Sequence, residues 1–239
     1  MTHTSHQANT IIEVDSISTV LQLIKAHPNQ SIMVLFDLDN TLIRSSTYLS
    51  SPEFSFARLK DLKTDITSPD EAYLMMLGDF VYLSHYDEMV LVEESSPQIL
   101  NELKNQQISC LGLTGRNLDL AMRTRDVLDS LELRFNQVLQ ERRIFRTSPY
   151  PIMYQDGVLF CSMLTPKPVG VKQILAACDR APEVIIMVDD DQKELAVMSQ
   201  FAHSQNFIFY GLRLNACDKL VVELDYTKIA NRLKKFRSC

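Results

Sequence analysis

The chain has 239 residues, of which 46% are hydrophobic and 23% are charged, a composition typical of an ordinary globular protein. This length predicts one sizeable domain with an insertion, or one and a half domains. The net charge of −6 argues against nucleic acid as a primary partner. The five cysteines are Cys110, Cys161, Cys178, Cys217 and Cys239. They form no CxxC motif and no Cys/His cluster, which favours a reducing compartment.

The start of the chain has no feature of a secretory signal. Met1 to Thr10 is polar and lacks a basic start followed by an apolar stretch. No apolar run approaches the roughly 20 residues needed to cross a bilayer, so we expect no membrane span. Together these features predict a cytoplasmic location, although export without a classical signal peptide is invisible to this criterion.

The first part of the chain predicts a helix, a buried strand and a long insertion. Residues 1–10 are expected to be disordered. Apolar residues on one face predict a helix over Ser16–Ala26. The apolar run Ile32–Phe36 predicts a buried strand. Residues 42–96 then form an insertion longer than a simple connection needs.

The insertion is predicted to be helical. Pro52 and Pro69 stand where helices can begin, and residues 72–91 carry apolar side chains on most faces. We interpret the segment as a cap or lid beside a functional site. The alternative is a helical layer that only covers the sheet.

The middle of the chain predicts a helix, a second strand, a further helix and a hairpin. Asp156-Gly157 lies between two apolar runs, which is a strong hairpin signal. The hairpin is placed at about residues 149–163. The other predicted elements are helix Pro97–Gln106, strand Ile108–Leu113, helix Asn117–Ser130 and a strand over Phe135–Leu139.

The last part of the chain alternates helices and strands. The predicted elements are helix Val169–Cys178, strand Val184–Val188, helix Gln192–Phe201, strand Phe207–Tyr210 ended by Gly211, and helix Asp218–Phe236. Strands that alternate with helices predict an α/β fold with a parallel sheet flanked by helices.

Two carboxylates follow the first predicted strand directly. Asp37 and Asp39 end the run that begins at Ile32, and Asn40-Thr41 comes next. Acids beside so apolar a strand are costly unless a charge neutralises them, and a divalent cation is the simplest one. The alternative is a strand followed by an ordinary turn, since Asp-Asn-Thr favours turns.

Polar residues also follow the other predicted strands. Thr114-Gly115-Arg116 ends the second strand, and Asp189-Asp190-Asp191 ends the third. Lys167 lies between two prolines just before a predicted helix, while Lys172, its rival, lies inside that helix. Thr-Gly alone favours an ordinary turn with a helix cap at Asn117, and only the whole series of motifs favours a functional role. Because carboxyl ends of parallel strands share one edge, we expect these residues to meet there.

This order of motifs resembles the haloacid dehalogenase-like (HAD) hydrolase superfamily over roughly Ile32 to Leu214. The sequence Gly157-Val158-Leu159-Phe160 before the lysine is similar to an uncharacterised bacterial branch of it. The resemblance implies a HAD-like Rossmannoid core of residues 1–41 and 97–239, with residues 42–96 as a helical cap. This chain departs from the common pattern of the superfamily in that Asp189, and not glycine, precedes Asp190.

The resemblance also implies a role for each motif residue. Asp37 is the expected nucleophile, and Asp39 the general acid and base. Thr114, the NH of Gly115, and Lys167 are expected to bind the phosphoryl group. Mg²⁺ is the expected cofactor, with ligands from Asp37, the backbone carbonyl of Asp39, Asp190 and, as second ligand or neighbour, Asp189. Three further residues are interpreted from their own positions in the sequence. Arg116 adds at most extra charge near the phosphate, Glu194 can orient a metal-bound water, and Asp191 is the expected N-cap of the next helix.

The implied function is a Mg²⁺-dependent phosphatase that works through an aspartyl-phosphate. The expected partner is a small phosphorylated molecule or a phosphoprotein, with no nucleic acid and no membrane span. The alternatives are a phosphotransferase on the same fold, or a protein-binding module with weak catalysis. We expect the insertion and the hairpin to border one opening and to restrict access to it.

Overall fold

The computed structural model describes residues 9–136, 138–178, 181–222, 225–227 and 231. The strands are β1 (Asn9–Val14), β2 (Ile32–Phe36), β3 (Ile43–Ser45), β4 (Met89–Leu91), β5 (Ser109–Thr114), β6 (Arg143–Phe145), β7 (Ile152–Gln155), β8 (Val158–Phe160), β9 (Val184–Asp189) and β10 (Ile208–Leu214). The helices are α1 (Thr19–Ala26), α2 (Pro52–Asp65), α3 (Pro69–Tyr86), α4 (Ser96–Asn105), α5 (Ala121–Ser130), α6 (Lys167–Ala177), α7 (Gln192–Ser204) and α8 (Asp218–Val222). A 3₁₀ turn, Leu118–Leu120, precedes α5.

A mostly parallel central sheet, flanked by helices, organises the protein. Within the described residues its strand order is β1-β10-β9-β2-β5-β8-β7-β6. Along this order, each pair of neighbours from β1 as far as β8 is parallel, and the last two pairs, β8 with β7 and β7 with β6, are antiparallel. The predicted α/β fold with a parallel sheet is therefore confirmed.

The buried strand β2 lies between β5 and β9 and separates two apolar layers. Val34 and Phe36 belong to the layer on the side of α1, α4 and α5. Met33 and Leu35 belong to the other layer, which includes residues of α6 and α7. Successive side chains of a strand point to opposite faces, so a strand covered on both faces is apolar at every position.

The insertion between β2 and α4 contains the two long helices α2 and α3. Each begins with proline after a serine, and the hydroxyls of Ser51 and Ser68 accept hydrogen bonds from the backbone nitrogens of Phe54 and Glu71. These caps confirm the helix starts predicted at Pro52 and Pro69. The short antiparallel pair of β3 and β4 at the base of the insertion was not predicted.

Three predictions are corrected, namely disorder at the chain start, a strand over Phe135–Leu139 and a strand end at Gly211. Asn9 and Thr10 are not disordered, because β1 pairs along β10; residues 1–8 lie outside the described residues. The described residues of Phe135–Leu139 form no strand, because the hydroxyl of Tyr154 accepts from the backbone nitrogens at 138 and 139. The strand β10 continues through Gly211 to Leu214, paired on both sides.

The predicted hairpin is confirmed as β7 and β8, but its turn lies far from the motif residues. β8 pairs with β5 from Gly112↔Val158 to Thr114↔Phe160. Phe160 at the end of β8 therefore lies at the carboxyl edge of the sheet, and Val158 at the start of β8 lies away from that edge. The Asp156-Gly157 turn packs against Phe135 at the opposite side. The expectation that this turn borders the opening is therefore wrong, because the hairpin extends the central sheet.

The remaining helix predictions agree with the structure to within a few residues. The C-terminal helix begins at Asp218 as predicted and is described to Val222, while much of the rest of Asp218–Phe236 lies outside the described residues. Within the described ranges, no helix combines the length and the apolar character that crossing a bilayer requires.

Gly170 in α6 tests the close packing of this helix on the sheet. A Cβ at Gly170 would lie 2.6 Å from the Sγ of Cys161 and 2.9 Å from Leu159, and both of these side chains are fully buried. We expect Gly170→Ala to lower the free energy of unfolding by about 1–3 kcal/mol through overpacking, measured by urea denaturation.

Gly78→Ala in α3 is the matched control. Nothing lies within 4 Å of a Cβ at Gly78, so this substitution should be neutral or stabilise by up to about 1 kcal/mol through helix propensity. Equal effects at the two glycines would contradict the packing of α6 described above.

Candidate active site

The loop after β2 places the first acid in a buried position. The backbone nitrogen of Asp37 donates to the carbonyl of Val188 at 2.9 Å, which continues the pairing of β2 with β9. The side chain of Asp37 is buried. Burial raises the pKa of its carboxyl well above the usual range, although the positive charge of Lys167 opposes the shift.

Lys167, the first residue of α6, joins two of the motif acids. Its Nζ donates to Asp37 Oδ1 at 2.6 Å and to Asp189 Oδ2 at 2.6 Å. Burial alone lowers the pKa of Lys167, but the charges and hydrogen bonds of the two aspartates outweigh it and raise the pKa. Lys172, the rival residue, is exposed on the same helix.

The three acids that end β9 have three different surroundings. Asp189 is fully buried, and its Oδ1 accepts from the backbone nitrogen of Asp191 at 2.8 Å. Burial and the neighbouring charge of Asp189 raise the pKa of Asp190 to about 7. The side chain of Asp191 accepts from the backbone nitrogen of Lys193 at 2.7 Å, so the predicted cap of α7 is confirmed.

Asp37, Asp189 and Asp190 form a cluster that suits a divalent cation. One carboxylate oxygen of each lies within 4.8 Å of the others. When all three acids are ionised, as they are when they bind a cation, the single ammonium of Lys167 leaves a local charge of −2. Carboxylate oxygens are the hard ligands that Mg²⁺ prefers. These residues therefore fit the predicted Mg²⁺, and the cluster includes Asp189 alongside Asp190.

The carboxylate of Asp39 points to a different partner. Arg116 Nη2 and Nε donate to its two oxygens at 2.7 and 2.9 Å. A third bond joins Arg116 Nη1 to the hydroxyl of Thr124 at 3.2 Å, and the guanidinium is fully buried. A bidentate pair of this kind fixes the direction of a carboxylate as well as its position. Sequence reasoning missed this role, because the partners are 77 positions apart.

Thr114 and Gly115 lie where β5 ends at the same edge. The Thr114 hydroxyl is buried and accepts from the backbone nitrogen of Arg116 at 3.1 Å. Gly115 lines the pocket, and a Cβ there would lie 3.8 Å from Met163, an ordinary contact. Packing within the protein therefore does not require glycine here. Phosphate binding by both residues stays a prediction.

These motif residues surround a pocket of about 860 Å³. Asp37, Asp39, Gly115, Lys167, Asp189 and Asp190 line it, so the expectation that the strand ends share one edge is confirmed. Glu194 also lines the pocket; burial raises the pKa of its carboxyl, which Lys167 opposes. Met163, at the end of the predicted hairpin segment 149–163, lines the pocket as well, whereas sequence reasoning did not identify the lining residues Glu13, Arg213 and Asp218.

The insertion forms one wall of this pocket. Its lining residues are Pro52, Glu53, Ser55, Phe56 and Phe80. The Nδ2 of Asn40, which follows Asp39 with a φ of 59°, donates to Glu53 Oε1 at 2.6 Å. This contact ties the first turn of α2 to the loop that carries the nucleophile candidate.

Asp87 holds the base of the insertion together. Its buried carboxylate accepts from the hydroxyls of Ser45, Thr47 and Ser50, at 2.6 Å for Thr47 and 2.7 Å for Ser50. Arg123 of α5 donates to the backbone carbonyl of Asp87 at 2.8 Å. The two chain segments that lead into and out of α2 and α3 are thereby joined to each other and to the core.

Comparison with known proteins identifies a family without an assigned activity. The family described as "Protein of unknown function (DUF2608)" matches residues 13–237. The chain belongs to the DUF2608 family. The match covers the sheet apart from the first residues of β1, the insertion and every motif residue discussed above.

Three distant relatives extend over most of the chain. Two, from Chlamydia muridarum and Chlamydia trachomatis, are each named "Putative outer membrane protein", and each is 21% identical over 87% of this chain and 78% of the relative. A third, "Uncharacterized protein RP296" from Rickettsia prowazekii, is 22% identical over 83% of this chain and 74% of its own length. None of these names states an activity, and the cytoplasmic location predicted above stays a prediction.

Lys167→Met tests the buried ion pairs. The substitution leaves Asp37 and Asp189 without their counter-charge, and breaking a buried pair in this way costs about 3–5 kcal/mol at neutral pH. Because Lys167 opposes the raised pKa of Asp37, its loss raises that pKa further. An acid with a raised pKa in the folded state binds more protons there than in the unfolded chain, so both proteins lose stability as the pH rises above about 4. The variant loses more, because the higher pKa of its Asp37 extends the loss to higher pH.

The measurement is urea denaturation in metal-free buffer between about pH 4 and pH 8. Lys172→Met, the same change at an exposed position of the same helix, should shift stability by no more than about 0.5 kcal/mol at any pH. If the free energy of unfolding of Lys167→Met lay below that of the unmodified protein by the same amount at every pH, the charge argument would be contradicted.

Proposed function

We propose that this protein is a HAD-like, Mg²⁺-dependent phosphatase that hydrolyses a phosphate monoester through an aspartyl-phosphate on Asp37. The observation that carries the proposal is the cluster of Asp37, Asp189 and Asp190 around Lys167, at the carboxyl edge of a parallel sheet and inside a pocket of about 860 Å³. Ligands of such sheets bind at this edge, and the pocket has the volume of a small-molecule site.

The first half-reaction transfers the phosphoryl group to the protein. The Asp37 carboxylate attacks phosphorus, a P–O bond to Asp37 forms, and the bond to the leaving oxygen breaks. Lys167 stabilises the charge on the nucleophile and on the phosphoryl oxygens. The protonated form of Asp39 gives its proton to the leaving alkoxide. Thr114 and the NH of Gly115 are the proposed donors to the phosphoryl oxygens.

The second half-reaction returns Asp37 to its starting state. Asp39, now a carboxylate, takes a proton from water as the water oxygen attacks phosphorus, and the bond to Asp37 breaks. Arg116 holds both oxygens of Asp39 and so keeps this group in one orientation. Mg²⁺ held by Asp37, Asp189 and Asp190 would supply the positive charge that lets a phosphate anion approach the carboxylate nucleophile.

The metal requirement is tested with an aryl phosphate. EDTA should abolish hydrolysis and Mg²⁺ should restore it, while Ca²⁺ should be a poorer substitute because its coordination is longer and looser. Asp190→Asn should raise the Mg²⁺ concentration for half-maximal activity by at least about tenfold. Asp191→Asn, whose side chain caps α7 instead, should leave that concentration within about twofold. Undiminished turnover in excess chelator would rule out the mechanism.

The roles of the two aspartates are tested by trapping the phospho-enzyme. Asp37→Asn removes the nucleophile, so it should neither turn over nor bind phosphate covalently. Asp39→Asn should slow turnover by about 10²–10⁴-fold. An aryl phosphate needs little protonation of its leaving group, so Asp39→Asn should accumulate phospho-enzyme, detected by rapid-quench mass spectrometry. Accumulation in Asp37→Asn and not in Asp39→Asn would mean that the assignments are reversed.

A further inference from the structure

The wall that the insertion contributes to the pocket has no role in the mechanism above. Glu53 and Phe56 are three positions apart on α2, which places them on one helix face, and both line the pocket with Phe80 of α3. Phe56 is 59% exposed, so its ring is open to a molecule bound in the pocket.

Glu53 is an acid without a counter-ion in this wall. Its one hydrogen bond shown by the structure comes from the neutral amide of Asn40. Within the described part of the chain Glu53 forms no ion pair, in contrast to Asp37, Asp39 and Asp189. Its negative charge also contributes to the raised pKa of Asp190, so it is felt within the site.

The basic side chains around the pocket are largely committed to other partners. Arg116 pairs with Asp39, Lys167 with the motif acids, and Arg213 with Asp218. Among the lining residues that the structure describes, Lys193 is the one basic side chain outside these pairs, and it is exposed. The pocket therefore offers little to a second anionic group on a substrate and repels polyanionic esters.

An exposed aromatic ring beside an unpaired carboxylate is the chemistry that recognises an organic cation. The face of a phenyl ring attracts ammonium and quaternary ammonium groups, and the carboxylate supplies the opposite charge. A neutral sugar would leave the charge of Glu53 unused, and an anionic group would oppose it. One pocket is lined both by Asp37, Asp189 and Asp190 and by this wall, so a single small ester can contact both.

We propose that the alcohol part of the substrate carries an ammonium or trimethylammonium group, held against Phe56 with Glu53 as its counter-charge. This inference rests on the proposed phosphatase function and names the substrate class of the same site. The phosphate end of the ester lies at Asp37 and Lys167, and the cationic end lies at the insertion wall.

The test compares choline phosphate with its neutral carbon isostere, in which a tert-butyl group replaces the trimethylammonium. With Mg²⁺ present, the intact protein should hydrolyse choline phosphate with a kcat/KM about tenfold or more above that of the isostere. Glu53→Gln keeps an oxygen that can accept from Asn40 but loses the charge, so it should reduce this ratio to near one. Phe56→Leu should reduce the ratio by about threefold or more.

Glu71→Gln is the matched control, since Glu71 lies in the first turn of α3 in the same insertion, is exposed and does not line the pocket. It should leave the ratio at the value of the unmodified protein. Thermal unfolding verifies that each variant is folded. If the Glu53 variant does not fold, a second substrate pair is compared on the intact protein: kcat/KM for ethanolamine phosphate should exceed that for a neutral propyl phosphate.

The outcomes separate this inference from the function on which it rests. Hydrolysis of the neutral isostere or of a bisphosphate at least as fast as choline phosphate would overturn the cationic substrate class and leave the phosphatase proposal standing. Absence of Mg²⁺-dependent hydrolysis of any of these esters, together with absence of phospho-enzyme from an aryl phosphate, would overturn both.

Discussion

The bridge that Lys167 makes between Asp37 and Asp189 is the interaction on which the site depends. Its two contacts of 2.6 Å join α6 to the ends of β2 and β9. All three side chains are buried, and buried charges are tolerated only when each has a close partner of opposite sign. The convergence of these three elements is therefore a condition for placing the acids inside the protein at all.

The bridge neutralises only part of the acid in the cluster of Asp37, Asp189 and Asp190. One lysine does not balance three carboxylates, and burial together with the charge of Asp189 raises the pKa of Asp190 to about 7. A cation that binds at this cluster removes the repulsion. Ion pairs with a purely structural role can also shift pKa values. Here, however, Asp37, Asp189 and Asp190 line a pocket that a ligand can enter.

The insertion gives the pocket a wall with different chemistry from that of the sheet edge. The acids and Lys167 come from strand ends and a helix start, whereas the wall offers apolar and aromatic side chains with one unpaired carboxylate. Asp87 and Arg123 fix the base of the insertion, and Asn40 ties its first helix to the loop after β2. The wall is thus held against the site by hydrogen bonds at both ends.

The sequence by itself determined the strongly patterned elements and the residue types at their ends. The run Ile32–Phe36 is apolar at every position because both faces of β2 are covered, and such a pattern is readable without a structure. The serine–proline starts of α2 and α3 are equally local signals. The edge strands β1 and β6 were missed because their exposed residues weaken the apolar pattern.

Only the tertiary structure decided which distant residues meet. Gly211 looked like a strand end, but β10 continues through it because β1 and β9 supply hydrogen-bonding partners on both sides. The hairpin turn is local, yet its position away from the pocket follows from the pairing of β8 with β5. Arg116 and Asp39, or Asn40 and Glu53, become partners through contacts across separate elements. Local patterns record how a segment is buried, whereas such partnerships depend on the path of the whole chain.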